Sequence, residues 1–145
     1  MNVGSVCSHR IISVPSSASL SEVVALMYGE RVGCVIVTRM SAGQPVVIGL
    51  VTDRDIVRTQ LGRVADFSQL AIADAMTHDP LTVHAEDDTS DVLQALRSRS
   101  VRRAPVVDAA GAPIGLISVD DLLQHTARQI GDLAAVGARR AGPIP

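Results

Sequence analysis

The chain is written twice. "ISVPSSASLSEVVALMYGERVGCVIV" (Ile12–Val37) aligns with "LTVHAEDDTSDVLQALRSRSVRRAPV" (Leu81–Val106) at a constant offset of 69, with Val14 on Val83, Glu22 on Asp91 and Val32 on Val101. Further on, "GLVTDRDIV" (Gly49–Val57) aligns with "GLISVDDLL" (Gly115–Leu123) at an offset of 66. The first copy therefore carries three extra residues, in its "RMSAGQPVV" stretch, where a connection between strands tolerates insertion. A unit of this size buries its own faces poorly, so two copies in 145 residues are expected to share a core.

Each copy carries the same elements. A short extended segment comes first, at Ile11–Val14 and Leu81–Val83. A helix follows. Ser19-x-x-Glu22 is a capping box, and Leu20, Val23, Val24 and Met27 form one apolar stripe. In the second copy Asp88 is the cap, and Val92, Leu93 and Leu96 make the stripe. Two β-branched strands come next, "VGCVIVT" then "VVIGLVT", and "APVVD" then "PIGLIS". "DAAGAP" supplies the second turn. A second helix starts at each charged motif. Arg63–Pro80 reads as linker with a helical lead-in at Ile72–Met76, and the last helix runs through Ile130 and Leu133 until "AGPIP" stops it. The fold class is α/β (α+β): two βαββα repeats packed through their strands about a pseudo-twofold axis, with a cleft between them. The divisions expected are 1–66, 67–136 and a flexible tail at 137–145.

Composition narrows the function. Tyr28 and Phe67 are the only aromatic residues, which disfavours single-stranded nucleic acid bound by stacking. A net charge of −2 exerts no general pull on nucleic acid or on an anionic membrane. No apolar run reaches the roughly 20 residues of a membrane span, and "MNVGSVCSHR" lacks the layout of a secretion signal, so the expected location is cytoplasmic. Cys7 and Cys34 do not make a disulfide framework, and Cys7-x-His9 lacks a second ligand pair for a metal. His9, His78, His84 and His125 share no ligand spacing. Met27 and Met76 suit a core. Asp53, Arg54 and Asp120 fit solvated helix starts. No GxSxG, phosphate-loop or GxGxxG pattern occurs.

The charged join after each glycine has two readings. Thr52-x-x-Asp55 and Ser118-x-x-Asp121 are capping boxes. The same groups also suit a ribose phosphate. A helix N-terminus and a hydroxyl accept phosphate, while a carboxylate one turn in accepts bonds from a vicinal diol. Gly49 and Gly115, having no side chain, would let a ligand approach the strand.

These motifs, with "VGCVIVT" in the first half and "DAMTHDPLTV" and "VRRAPVVD" in the second, resemble a tandem pair of cystathionine-β-synthase (CBS) domains, a Bateman module, over about Val6–His125. The resemblance implies an adenosine ligand in the cleft: AMP, ADP, ATP, S-adenosylmethionine or sometimes NAD. It implies that Asp55 and Asp121 hold ribose hydroxyls and that Thr52 and Ser118 contact phosphate. Val35, Ile36, Val37, Ala104, Pro105 and Val106 would flank the base, and Ser13 and Thr82 would line the same pockets. Arg102, Arg103 and Pro105 follow the family's form, whereas the first copy has Gly33, Cys34 and Ile36 there. Unequal sites are therefore expected, with one arginine leaning into the cleft toward phosphate.

The leading expectation is a non-catalytic regulatory module that senses an adenosine ligand, forms a homodimer and passes the signal to a partner protein. It needs no metal or resident cofactor. The alternative is a constitutive homo-oligomerisation scaffold with empty clefts. An enzyme is disfavoured, because neither motif puts a general base beside a nucleophile.

Overall fold

The computed structural model describes residues 1–62 and 67–140. The first repeat comprises β1 (Ser13–Pro15), α1 (Leu20–Glu30), β2 (Cys34–Ser41), β3 (Gln44–Thr52) and α2 (Asp53–Gly62). After it come β4 (Thr77–His78), β5 (Val83–His84), α3 (Thr89–Arg99), β6 (Arg103–Val107), β7 (Pro113–Ser118) and α4 (Val119–Arg140). Short 3-10 turns occupy Val3–Ser5, Phe67–Gln69 and Ile72–Asp74. Among the described residues one sheet runs β1-β2-β3-β4 and the other β5-β6-β7. Each has one parallel and otherwise antiparallel pairs. This is the expected pair of βαββα units.

Local chemistry sets the boundaries. The Ser19–Glu22 capping box forms: the Glu22 N–H donates to Ser19 Oγ at 3.1 Å, and the Ser19 N–H donates to Glu22 Oε2 at 3.0 Å. Asp88 caps α3 through the Ser90 N–H at 2.8 Å. Both helices stop at a left-handed residue, Arg31 (φ 54°) and Ser100 (φ 55°), in equivalent positions. The chain then reverses through Val32 N–H to Met27 C=O and Val101 N–H to Leu96 C=O. The three extra residues of the first copy lengthen the β2–β3 hairpin as added rungs down to Ser41 opposite Gln44, closed by Ala42 and Gly43 at positive φ.

The repeat reaches further than Ile12. Asn2 pairs with Asp88 and Ala71 pairs with Ser19, and both partners are related by the same offset of 69. Ser8 exchanges two hydrogen bonds with Leu116, each 2.9 Å, as Thr77 pairs with Leu50 across β4 and β3. Each repeat thus lends its lead-in to the other. Val3 is fully buried among Val83, Val92, Leu96 and Ile117, and Ile72 among Val14, Val23, Val35 and Val51. Each such burial contributes roughly 1.5–3 kcal/mol, so the exchange ties the halves together. The boundary of packing therefore differs from a division of the chain at 66/67: residues 2–8 belong with the second core and 70–78 with the first. Residues 63–66 of the expected linker lie outside the described residues.

A smaller cluster of Cys34, Ile36 and Leu50, with Ile11, Val47 and Leu116 against it, joins the two sheets. α4 continues to Arg140, so residues 137–140 of the expected tail are helical. Residues 141–145 lie outside the described residues. No helix among the described residues is long and apolar enough to cross a membrane.

Candidate functional site

Both charged joins fold as reciprocal caps. The Thr52 N–H donates to Asp55 Oδ2 at 2.9 Å, and the Asp55 N–H donates to Thr52 Oγ1 at 3.2 Å. At the second join, the Ser118 N–H and Oγ–H donate to Asp121 Oδ2 at 2.8 and 2.9 Å, and the Asp121 N–H donates to Ser118 Oγ at 3.1 Å. The cap occupies Oδ2 of each carboxylate. Capping and ligand binding are therefore compatible uses of one aspartate, since Oδ1 is a separate acceptor.

The glycines answer to the exchanged lead-ins. A Cβ on Gly49 would lie 2.5 Å from Met76 Sδ, and one on Gly115 would lie 2.9 Å from Ser8 O and 3.0 Å from Cys7 Sγ. The missing side chains admit the neighbouring repeat, which corrects the expectation that they make way for a ligand.

A cavity of about 540 Å³ opens between the repeats. One wall is the first charged join: Thr52, Asp53, Arg54, Asp55 and Arg58, with Leu50 below. The facing wall comes from the second repeat: Thr77–Leu81 and Arg99–Arg103. Five arginines (54, 58, 99, 102 and 103) outnumber three aspartates (53, 55 and 79) around it. A smaller cavity of about 190 Å³ holds the pseudo-equivalent positions Arg10, Ile11, Ile12, Val32, Gly33, Cys34 and Leu116, with Ile36 and Arg103. It keeps only two arginines, Arg10 and Arg103, in its lining. The counterparts of Arg54, Arg58, Arg99, Arg102 and Arg103 are Asp120, Gln124, Glu30, Gly33 and Cys34.

Thr52, Asp55, Arg102 and Arg103 thus meet in the large cavity, and Ile36 and Arg103 in the small one. Ser118 and Asp121 form their cap outside both linings. Val35 and Val37 are buried against α1 with Val23 and Met27; Ala104 and Val106 are buried with Val92 and Leu96. Alternation along a strand turns Cys34 and Ile36 to the opposite face from Val35 and Val37. Pro105 is buried, and Ser13 and Thr82 are exposed. Asp53 and Arg54, expected as solvated helix starts, and His78, given no role, line the site, and Arg58 and Arg99 join it without having been read from sequence. Arg54 and Arg58, four apart, share one face of α2, a signal available beforehand; Arg99 is brought in only by the α3 terminus.

Arg102 and Arg103 are held differently. Arg102 pairs with Asp120 at 3.4 Å, with both side chains largely in water, so the pair contributes little. Arg103 is half-buried and lines both cavities, and its charge acts on the Cys34 thiol. Burial pushes the Cys34 thiol up to about 11 against the opposing pull of Arg103, with Asp55 and Asp53 adding to the rise. Burial, then the charge of Asp121, also raises Cys7. Both cysteines are free. No cluster of three or more metal-ligating side chains occurs among the described residues.

Two strand-to-helix joins of this kind, back to back between exchanged βαββα repeats, define a tandem module with paired inter-repeat cavities. The CBS domain profile matches residues 3–62 and 72–128, and the chain belongs to the CBS domain family, as a tandem pair. An uncharacterized protein of Methanopyrus kandleri is 24% identical over 124 residues, 86% of this chain and 62% of that protein. An inosine-5'-monophosphate dehydrogenase of Thermoplasma acidophilum is 30% identical over 91 residues, 59% of this chain but 17% of the enzyme. The chain therefore spans less than two thirds of either relative. Among solved structures, the CBS domain pair of protein MJ0100, in complex with 5'-methylthioadenosine and S-adenosylmethionine, shares the fold with a TM-score of 0.76 at 18% identity, covering 89% of this chain and 98% of that one. CBSX2 in complex with AMP gives 0.71 at 26% identity, with 90% and 98% covered. A hexameric CBS-CP12 protein from bloom-forming cyanobacteria gives 0.74 at 24%, with 85% and 69% covered.

Proposed function

We propose that the protein is a non-catalytic regulatory module that binds an adenosine ligand carrying phosphate in the large cavity. The observation that carries this reading is one cavity of about 540 Å³ in which the Thr52–Asp55 cap, with Arg54 and Arg58 beside it, faces Arg99, Arg102 and Arg103. Its volume falls in the usual ligand range of roughly 300–1,000 Å³. Guanidinium groups take phosphate oxygens bidentately and stay charged. The positive end of the α2 dipole adds to the same pull. Asp55 keeps Oδ1 for a ribose diol, and Leu50 and Val101 supply apolar surface for a base. AMP in CBSX2, a relative of similar length, supports the class of ligand. ATP and ADP suit the cationic lining better than S-adenosylmethionine, whose sulfonium is itself a cation.

The experiment is a thermal-shift and calorimetry panel of adenosine, AMP, ADP, ATP and S-adenosylmethionine. A ligand at a hundredfold excess over its Kd adds about 2.7 kcal/mol and raises Tm by several degrees. ATP and ADP are expected to exceed adenosine and S-adenosylmethionine. No shift from any of them at millimolar concentration would leave the scaffold reading in place.

The module also works as a homodimer whose arrangement a partner protein reads, in the cytoplasm. Exposed Val24, Val57 and Leu61 on α1 and α2, and Leu123, Ile130 and Leu133 on α4, support association. An apolar groove of about 340 Å³ between α1 and α2 lies in the same region. These faces are also what favours the second reading, a constitutive oligomerisation scaffold. Ligand-dependent stability separates the two.

A further inference from the structure

Arg103 lines both the large and the small cavity. Its equivalent in the first repeat is Cys34: Cys34 stands opposite Thr52 in the first hairpin, as Arg103 stands opposite Ser118 in the second. One arginine therefore lines both of the pseudo-equivalent cavities. Cys34 and Arg103 both line the small cavity, so Arg103 stands at its wall beside the thiol. At about 190 Å³ that cavity falls short of the roughly 300 Å³ at which ligand sites begin. Its other cation, Arg10, is engaged by Glu30, bonding the backbone oxygen at 3.2 Å and pairing with the carboxylate at 3.7 Å. What remains is apolar: Ile11, Ile12, Val32, Ile36 and Leu116.

We propose that Arg103 decides which cavity takes phosphate, and that a phosphorylated ligand in the large cavity opens the small one to an uncharged nucleoside. This rests on reading the large cavity as a site for an adenosine phosphate. A phosphate in the large cavity offers Arg103 a bidentate, charge-assisted partner, whereas no carboxylate lines the small one. Turning to it withdraws Arg103 from the small cavity, enlarges that cavity and leaves walls suited to a base and sugar but not to a second polyphosphate. The two sites then favour each other's occupancy, and the coupling is reciprocal in free energy.

The test is calorimetry with adenosine and ATP on the full chain. Adenosine is titrated into ATP-free and ATP-saturated protein. ATP is expected to bind once, and the adenosine that then enters the small cavity is expected to bind at least about fivefold tighter than its weaker site without ATP. Arg103→Met is expected to bind ATP more weakly and to give the same second-site adenosine affinity with and without ATP. Ile36→Phe, which fills the small cavity, is expected to abolish adenosine binding to ATP-saturated protein and to leave ATP affinity unchanged. Coupling that persists in Arg103→Met, or ATP binding without coupling in the wild type, overturns the inference alone. Two equivalent ATP molecules bound also overturn it. Absence of any ATP binding overturns the cavity assignment and this inference with it.

Discussion

A side chain on Gly115 would set its first carbon 2.9 Å from the carbonyl oxygen of Ser8. That oxygen accepts the Leu116 N–H, and the Ser8 N–H returns a bond to the Leu116 carbonyl, so it is backbone that cannot yield without breaking the exchange between repeats. At Gly49 the obstacle is the flexible end of Met76. Gly115→Ala is therefore expected to cost about 1–3 kcal/mol, as overpacking does, and Gly49→Ala less. Denaturant melts of the two variants check the order; a larger loss at Gly49 would contradict it.

The two capping aspartates should separate on mutation. Asp55→Ala removes a cap and a wall of the large cavity, whereas Asp121→Ala removes a cap that lies outside both linings. Each is expected to lower stability by about 0.5–2 kcal/mol. Only Asp55→Ala should weaken the nucleotide in the large cavity, by tenfold or more. Calorimetry beside a melt on the same samples reads both effects, and unchanged nucleotide affinity in Asp55→Ala would reduce that residue to a cap.

Alkaline pH should test the burial of Cys34. The unfolded thiol ionises near its ordinary 9.0, whereas the folded one stays protonated until about 11. The folded state therefore binds the proton more tightly. The resulting stability is fully present below pH 9 and is lost as pH rises from 9 to 11, by about 2–3 kcal/mol at most. Cys34→Val should lose less stability than the wild type between pH 8.5 and 10.5. Parallel pH curves for the two proteins would show that the thiol does not carry the effect. The same thiol should resist iodoacetamide at neutral pH.

Association should depend on the exposed helix faces. Leu61, on α2, and Ile130, on α4, are 82% and 62% exposed. The wild type is expected to scatter light as a dimer or larger at tens of micromolar. Leu61→Glu or Ile130→Glu is expected to lower the mass without lowering Tm by more than a few degrees, because neither side chain is packed in the described core. A monomeric wild type would remove the dimer from the proposal.

Much of this was legible in the chain because it is local. The Ser19–Glu22 box, the apolar stripe of α1 and the doubled join at Thr52 and Ser118 are set by neighbours within four residues, where spacing alone fixes the hydrogen bonds. The offset of 69 likewise implied a shared core. Other features needed the tertiary structure, because they join residues distant along the chain. The exchange of Val3 and Ile72 hid behind alignments begun at Ile12, since two short turns carry no periodicity. The purpose of Gly49 and Gly115 depended on that exchange. The large cavity takes its cap and two arginines from one repeat and three arginines from the other, so neither copy contains it. Which strand residues face a cavity was decided by packing: alternation separates Ile36 from Val35 and Val37, but only the docking of α1 says which set is covered. Side-chain spacing determines which local bonds can form; burial across the repeats decides which surfaces remain for a ligand.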